Sequence, residues 1–178
     1  EWLDTFNIKG VMEQYSIKYP EFHFFGAVPI DFDELDYSHI SIDKLIKYKK
    51  NGYYKFGIIF NLDTHDKSGS HWVAAYFDFN TENSQNILLF YDSYGIKPDK
   101  RIRTFIRKMA IFSQNHFTKN KEPIVKYNKE RHQFDNYDCG TYSINFILRL
   151  LKGHTFEQII ADKTPDSEIN KCRNVYFF

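Results

Sequence analysis

Residues 133–146 read QFDNYDCGTYSINF, and within them a Cys-Gly pair falls where a polar loop turns into an apolar helix. The run CGTYSINFILRLLK, closed by Gly153, predicts a buried helix over 139–152. A helix N-terminus carries unsatisfied N–H groups and partial positive charge, so a thiol there is biased toward the nucleophilic thiolate. Cys139 is therefore read as a candidate nucleophile, with Gly140 keeping the approach to the sulfur open. A lone cysteine is more often a small buried residue. Partners elsewhere in the chain are what change that reading.

A nucleophilic cysteine needs a base, and the base needs an orienting group. Three strand candidates follow one another upstream: YYKFGIIFNL at 53–62, HWVAAYFDF at 71–79 and ILLFYD at 87–92. Their near-continuous apolar character predicts strands covered on both faces. His71 opens the second strand directly after the turn DKSGS, and Asp92 closes the third. If the two strands form an antiparallel hairpin, both side chains reach the same edge of the sheet and a Cys-His-Asp set can assemble. Read singly, His71 is a strand-end histidine and Asp92 a turn former. Gln133, six residues before Cys139, could donate its amide to a developing oxyanion, with the Cys139 backbone N–H as second donor.

The rest of the chain supplies helices and one more strand. Residues 2–15 show a loosely helical spacing broken at Gly10, and 41–50 (SIDKLIKYKK) a short helix with Ser41 as N-cap. Residues 99–117 place Ile102, Phe105, Ile106, Met109 and Phe112 at helical spacing with basic residues opposite, a face read as solvated. A strand is expected over 123–127, and short helices over 155–161 and 165–176. Helix, strands, then helices predict an α+β fold around a central sheet. No repeat or linker divides the 178 residues, so 1–178 is read as one domain. A formal net charge of +1 with dispersed lysines argues against nucleic acid as partner. No run of 18 apolar residues marks a membrane span, and no signal-peptide pattern is read. Two cysteines make no disulfide framework and point to a reducing compartment or one where redox state does not matter; Cys172 is read as structural, and Tyr142 and Ser143 as packing residues. His65, His116 and His132 lack zinc-type spacing, so neither metal nor other cofactor is expected. His132 remains a possible rival base, weakened by its closeness in sequence to Cys139 and by the lack of a carboxylate to orient it.

Taken together, HWV at 71–73, YDSYG at 91–95 and QFDNYDCGTYSINFI at 133–147, with gaps of 21 and 47 residues between His71, Asp92 and Cys139, resemble a known family. It is the clan of papain-like cysteine proteases that holds the SUMO proteases, adenovirus protease and the core maturation proteases of large nucleocytoplasmic DNA viruses. The resemblance spans roughly residues 2–150. It implies a circularly permuted papain-like fold with a central, mostly antiparallel sheet flanked by helices, and the roles just given to Cys139, His71, Asp92 and Gln133. SUMO proteases also clamp the substrate's Gly-Gly backbone between two tryptophans, one near the domain start and one after the catalytic histidine. The two tryptophans of this chain, Trp2 and Trp72, match both places and are expected to flank the cleft. Rigid rings pressed on an extended chain leave room only for glycine. The family's acidic residue three after the first Trp would fall on Thr5; Asp4 stands one position early.

The resemblance implies a cysteine endopeptidase cutting after glycine. Two substrate classes compete: a viral structural polyprotein, favoured by the AT-rich residue bias and the segment HFFGAVPIDFD at 23–33, or a SUMO- or ubiquitin-like modifier. A viral enzyme would work inside the host cell or the virion. A different reaction on the same fold is acetyl transfer by effector-type enzymes, for which no basic site for coenzyme A or inositol phosphate is evident.

Overall fold

The computed structural model describes residues 2–37, 40–118 and 121–177. Helix α1 (Thr5–Lys18) is followed by β1 (Phe22–Pro29), then α2 (Leu45–Lys50) and strands β2 (Lys55–Asn61), β3 (Trp72–Asp78) and β4 (Ile87–Tyr91). Helix α3 (Lys100–His116), β5 (Ile124–Tyr127) and helices α4 (Cys139–Leu151), α5 (Phe156–Ala161) and α6 (Asp166–Tyr176) complete the order. The five strands lie in sequence order in one sheet. Its centre, β2–β3–β4, is antiparallel, while β1 and β5 add parallel at the two edges. The fold is α+β, with helices on both faces.

Both faces of the sheet are apolar because β3 alternates its side chains into two cores. Trp72, Ala74 and Tyr76 pack with α1, α4, α5 and α6, whereas Val73, Ala75 and Phe77 pack with α2 and α3. Helix α4 is buried along nearly its whole length, as its hydrophobic run dictates.

Local signals explain the remaining elements and one departure. Asp4 caps α1: its carboxylate accepts from Asn7 N at 2.7 Å while Asn7 returns a bond to Asp4 N. The residue that stood one place from the substrate-contacting position is thus a helix cap. The expected break at Gly10 does not occur: the helix runs through it to Lys18, since a single interior glycine costs about 1 kcal/mol of helix propensity without ending the helix. Ser41 accepts no capping bond; a 3-10 turn, Ile42–Lys44, leads into α2 instead. Strand β1 was missed altogether, since FHFFGAVP holds a Gly and a Pro that read as turn residues. The sheet tolerates both because β1 is an edge strand and its register shifts at Gly26.

Candidate active site

The site forms where the ends of β3 and β4 meet the start of α4. Antiparallel pairing of β3 with β4 (Ala74 opposite Tyr91) carries His71 and Asp92 to the same edge. His71 Nε2 lies 2.8 Å from Asp92 Oδ1, both residues being buried. The same oxygen accepts the backbone N–H of Tyr94 at 2.8 Å, a tight turn that fixes the carboxylate. With Nε2 taken, Nδ1 is the ring nitrogen left for a thiol, and Cys139 stands near enough to the ring to favour its charged form. Burial by itself pulls the imidazole pKa down. Asp92 and Cys139 more than reverse that and raise it to about 9. The ring is therefore an imidazolium at neutral pH, held between an acceptor oxygen and the sulfur. Tyr94 stacks on it at 4.6 Å between ring centroids, 12° from parallel.

Cys139 is the first residue of α4 and is buried, its backbone N–H among those the helix leaves without internal partners. Gly140 has a different reason from the one expected. A Cβ there would meet Leu3 Cδ1 at 3.1 Å, Leu3 Cβ at 3.3 Å and Trp72 Cδ1 at 3.4 Å, so glycine lets the N-terminal segment pack onto the helix start.

Gln133 is fully buried and held at both ends. Its Oε1 accepts Ser93 Oγ at 2.6 Å, while Nε2 donates to Asp135 Oδ1 at 2.8 Å and to Asp135 O at 3.2 Å. The amide's orientation is thereby set, with its donor end toward the loop that precedes Cys139. In this resting arrangement an oxyanion would compete with the longer of the two Asp135 bonds.

Trp72 and Trp2 both line a cleft of about 520 Å³, together with Leu3, Asn61, His65 and Gly69. Their environments differ sharply. Trp72 is 5% exposed and donates Nε1–H to Leu3 O at 2.9 Å, whereas Trp2 is 46% exposed. The cleft runs to Leu3 and Trp72, the two residues packed on Gly140 beside the thiol. The structure pairs His71 with Asp92, sets Cys139 at the start of α4, and brings Trp2 and Trp72 into one cleft, while the contacts of Gln133 are with Ser93, Arg131 and Asp135.

His132 is elsewhere engaged, its Nδ1 lying 3.0 Å from Tyr91 Oη; burial first, then Lys163, lowers its pKa to about 4. A neutral imidazole tied to a tyrosine in the core is not placed as the thiol's base. Tyr142 and Ser143 are buried, as expected of packing residues, with Oη donating to Asp166 Oδ1 at 2.7 Å and Oγ to Trp72 O at 3.2 Å.

Several supporting residues gave no signal in the sequence. Asn128 brackets Asp92, accepting its N–H at 3.0 Å and donating to its carbonyl at 2.6 Å. Gly95, at φ +73°, lets that turn touch the 130–131 backbone, where a Cβ would meet Glu130 C at 2.6 Å. Helix α6 grips the loop before the thiol at two points. Asp166 accepts Phe134 N at 3.0 Å and Asp135 N at 3.1 Å, and Arg173 Nη1 donates to Asp138 Oδ1 at 2.8 Å. Asp135 Oδ1 accepts the Asp138 backbone N–H at 3.3 Å, and burial first, then the neighbouring Asp135, raises the Asp138 pKa to about 6. Only the position of Asp138, directly before the cysteine, could have marked any of these for attention.

A buried thiol at a helix start, beside a His71–Asp92 pair at the edge of such a sheet, is the arrangement of the papain-like fold. Residues 2–175 match the model of the family described as YopJ Serine/Threonine acetyltransferase, and the chain belongs to that family. A thiol protease of Acanthamoeba polyphaga mimivirus is 41% identical over 180 residues, covering 99% of this chain and 57% of that protein. A SUMO-1 cysteine protease of African swine fever virus is 26% identical over 188 residues, covering 98% of this chain and 67% of that one. The chain thus spans only 57% of the first of these relatives and 67% of the second. Among solved structures, the crystal structure of the African swine fever virus protease superposes with a TM-score of 0.84 at 22% identity, over 99% of this chain and 67% of that one. The Ulp1 protease domain in complex with Smt3, the yeast orthologue of SUMO, gives 0.66 at 17% identity, over 99% and 74%. These likenesses carry the papain-like fold, and the relatives by sequence are viral proteins named as cysteine proteases.

Proposed function

We propose that this chain is the catalytic part of a viral thiol protease that cleaves peptide bonds after glycine. The observation that carries the proposal is the buried His71–Asp92 pair beside a thiol at a helix N-terminus, with the imidazole held cationic at neutral pH. In this reading Cys139 Sγ attacks the carbonyl carbon of the scissile bond. The tetrahedral oxyanion is met by the Cys139 N–H and by Gln133 Nε2, released from the Asp135 carbonyl. His71 passes its proton to the leaving amine, which departs from a thioester on Cys139. Water, deprotonated by the now neutral His71, then attacks that thioester and frees the enzyme. Asp92 keeps the imidazole oriented throughout.

Glycine specificity follows from the cleft. Trp72 is immobilised by burial and by its bond to Leu3 and reaches the cleft only at its edge, so the exposed indole of Trp2 supplies most of the ring surface there. A Cβ on the residue before the scissile bond would meet an indole face. The viral origin of the relatives by sequence fits a viral precursor as substrate, whereas the name SUMO-1 cysteine protease and the Smt3-bound neighbour fit a folded modifier as the competing substrate. Work inside the host cell or the virion is part of the same proposal.

The test combines a Gly-X peptide panel with a thiol probe. Peptides with Gly at the cleaved position should be cut and their Gly→Ala counterparts should not, and iodoacetamide should label Cys139 at neutral pH far faster than Cys172. Cleavage after Leu or Arg, or faster labelling of Cys172, would refute the reading. A second reading, acetyl transfer to protein hydroxyls, is favoured by the name of the matching family. In it the same sulfur takes the acetyl group from acetyl-CoA, the coenzyme A thiol leaves, and a protein hydroxyl in place of water then accepts the acetyl group; stable acetylation of a protein substrate from acetyl-CoA would establish it instead.

A further inference from the structure

Beside the catalytic residues stands a guanidinium that the reaction leaves unused. Arg131 lies 4.9 Å from the centroid of the Tyr94 ring and 5.2 Å from that of Phe134, so two aromatic planes hold it. Its Nε donates to Gln133 O at 2.5 Å. Its Nη groups have no partner among the described residues, and the neighbouring Glu130 is engaged by Lys163. Tyr94 is the ring that stacks on His71, and one face cannot hold both an imidazole and a guanidinium near its centre. Arg131 therefore takes the opposite face, and the order is His71, Tyr94, Arg131, Phe134.

This ladder is exposed where it ends: Arg131 is solvent-accessible and Phe134 is 70% exposed. None of Tyr94, Arg131 and Phe134 lines the tryptophan cleft. If the cleft takes the glycine side of the substrate, the ladder borders the other side of His71, where the residues after the scissile bond emerge. Stacking distances of 4.6 and 4.9 Å place the guanidinium about 9 Å past the imidazole, the span of two to three extended residues. A planar fork with unpaired donors, stiffened by two rings, suits bidentate binding of a carboxylate and loses little freedom on doing so.

We propose that Arg131 is a substrate-binding residue on the leaving-group side, recognising an Asp or Glu side chain within the first three residues after the scissile bond. The proposal rests on the protease reading above. It makes the preferred cleavage site a glycine followed closely by an acidic residue.

The experiment uses internally quenched Gly-X peptides with amidated C-termini, so that the only varied carboxylate is a side chain. At each of the first three positions after the cleaved bond, Asp is compared with Asn on one enzyme preparation. A charge-assisted bond at an exposed site corresponds to roughly tenfold, and it should act through KM. The parent should favour Asp at one position by about that factor. Arg131→Ala should bring the ratio near one, and Arg131→Glu should turn the preference toward Lys. Because each ratio compares two substrates on the same enzyme, impaired folding cannot imitate the result. Equal cleavage of Asp and Asn peptides by the parent, or an Asp preference that survives in Arg131→Ala, would overturn the role of Arg131 and leave the protease reading standing. No cleavage of any peptide by the parent would overturn both.

Discussion

Replacing Asp92 by asparagine tests the electrostatic core of the site with almost no change of shape. The side-chain carbonyl that Asp92→Asn leaves in place can still accept from Tyr94 N, and Asn128 still brackets the backbone, so the turn should survive. What disappears is the negative charge 2.8 Å from His71 Nε2. In the parent the imidazole is raised from 6.5 to about 9 against the opposing pull of burial. That difference is about 3 kcal/mol, or roughly 300-fold in the population of the imidazolium, and Cys139 supplies part of it. The loss in kcat/KM at pH 8 should accordingly fall between about tenfold and 300-fold. The sign follows from which form is active. The imidazolium donates to the leaving amine, so parent activity should persist up to the raised pKa and fall as pH rises through about 9. In Asp92→Asn, burial acts on His71 without the carboxylate, and the alkaline limb should move down by at least ~1 pH unit. The assay is kcat/KM for a Gly-X peptide from pH 6 to 10, with thermal melts to show that both proteins are folded over that range. An alkaline limb that stays near 9 in a folded Asp92→Asn protein would refute the reasoning, since Asp92 would then not be what holds the proton on His71.

Two further substitutions probe the residues around this pair. Gln133→Ala should lower kcat by roughly 10²–10³ with little change in KM, because an oxyanion donor acts in the transition state; unchanged kcat in steady-state assays would remove Gln133 from the mechanism. Asp135→Asn removes the negative charge that stands beside Asp138. Burial first, then the hydrogen bond and charge of Asp135, raise the Asp138 pKa to about 6. A carboxyl raised in the folded state stabilises it fully below the unfolded pKa, and that contribution is lost as pH rises through about 6. It amounts to at most about 3 kcal/mol, reduced by the opposite shift of Asp135, so the parent's Tm should decline by a few degrees relative to Asp135→Asn between pH 4 and 7. Parallel melting curves would show that Asp135 does not raise the Asp138 carboxyl.

The chain's own order of residues carried the helix at 139–152, the three central strands and the placing of His71 and Asp92 at strand ends. Each depends on short-range pattern: an apolar run closed by glycine, near-continuous β-branched and aromatic stretches, and a charged residue at the boundary. Cys139 stood out as a Cys-Gly pair at a helix start, and Gln133 only by lying six positions before it. Tertiary structure alone decided the rest. Strand β1 was hidden because its glycine and proline are tolerable only at a sheet edge, and edge position belongs to the whole sheet. Asn128, Asp166 and Arg173 act on Asp92 and on the 133–138 loop from 31 to 36 residues away, through single hydrogen bonds that no periodicity announces. The different fates of the two tryptophans follow the same logic. Sequence placed both near the cleft, but whether an indole is buried or open depends on what packs over it, and here Leu3 covers Trp72 while Trp2 remains half in solvent.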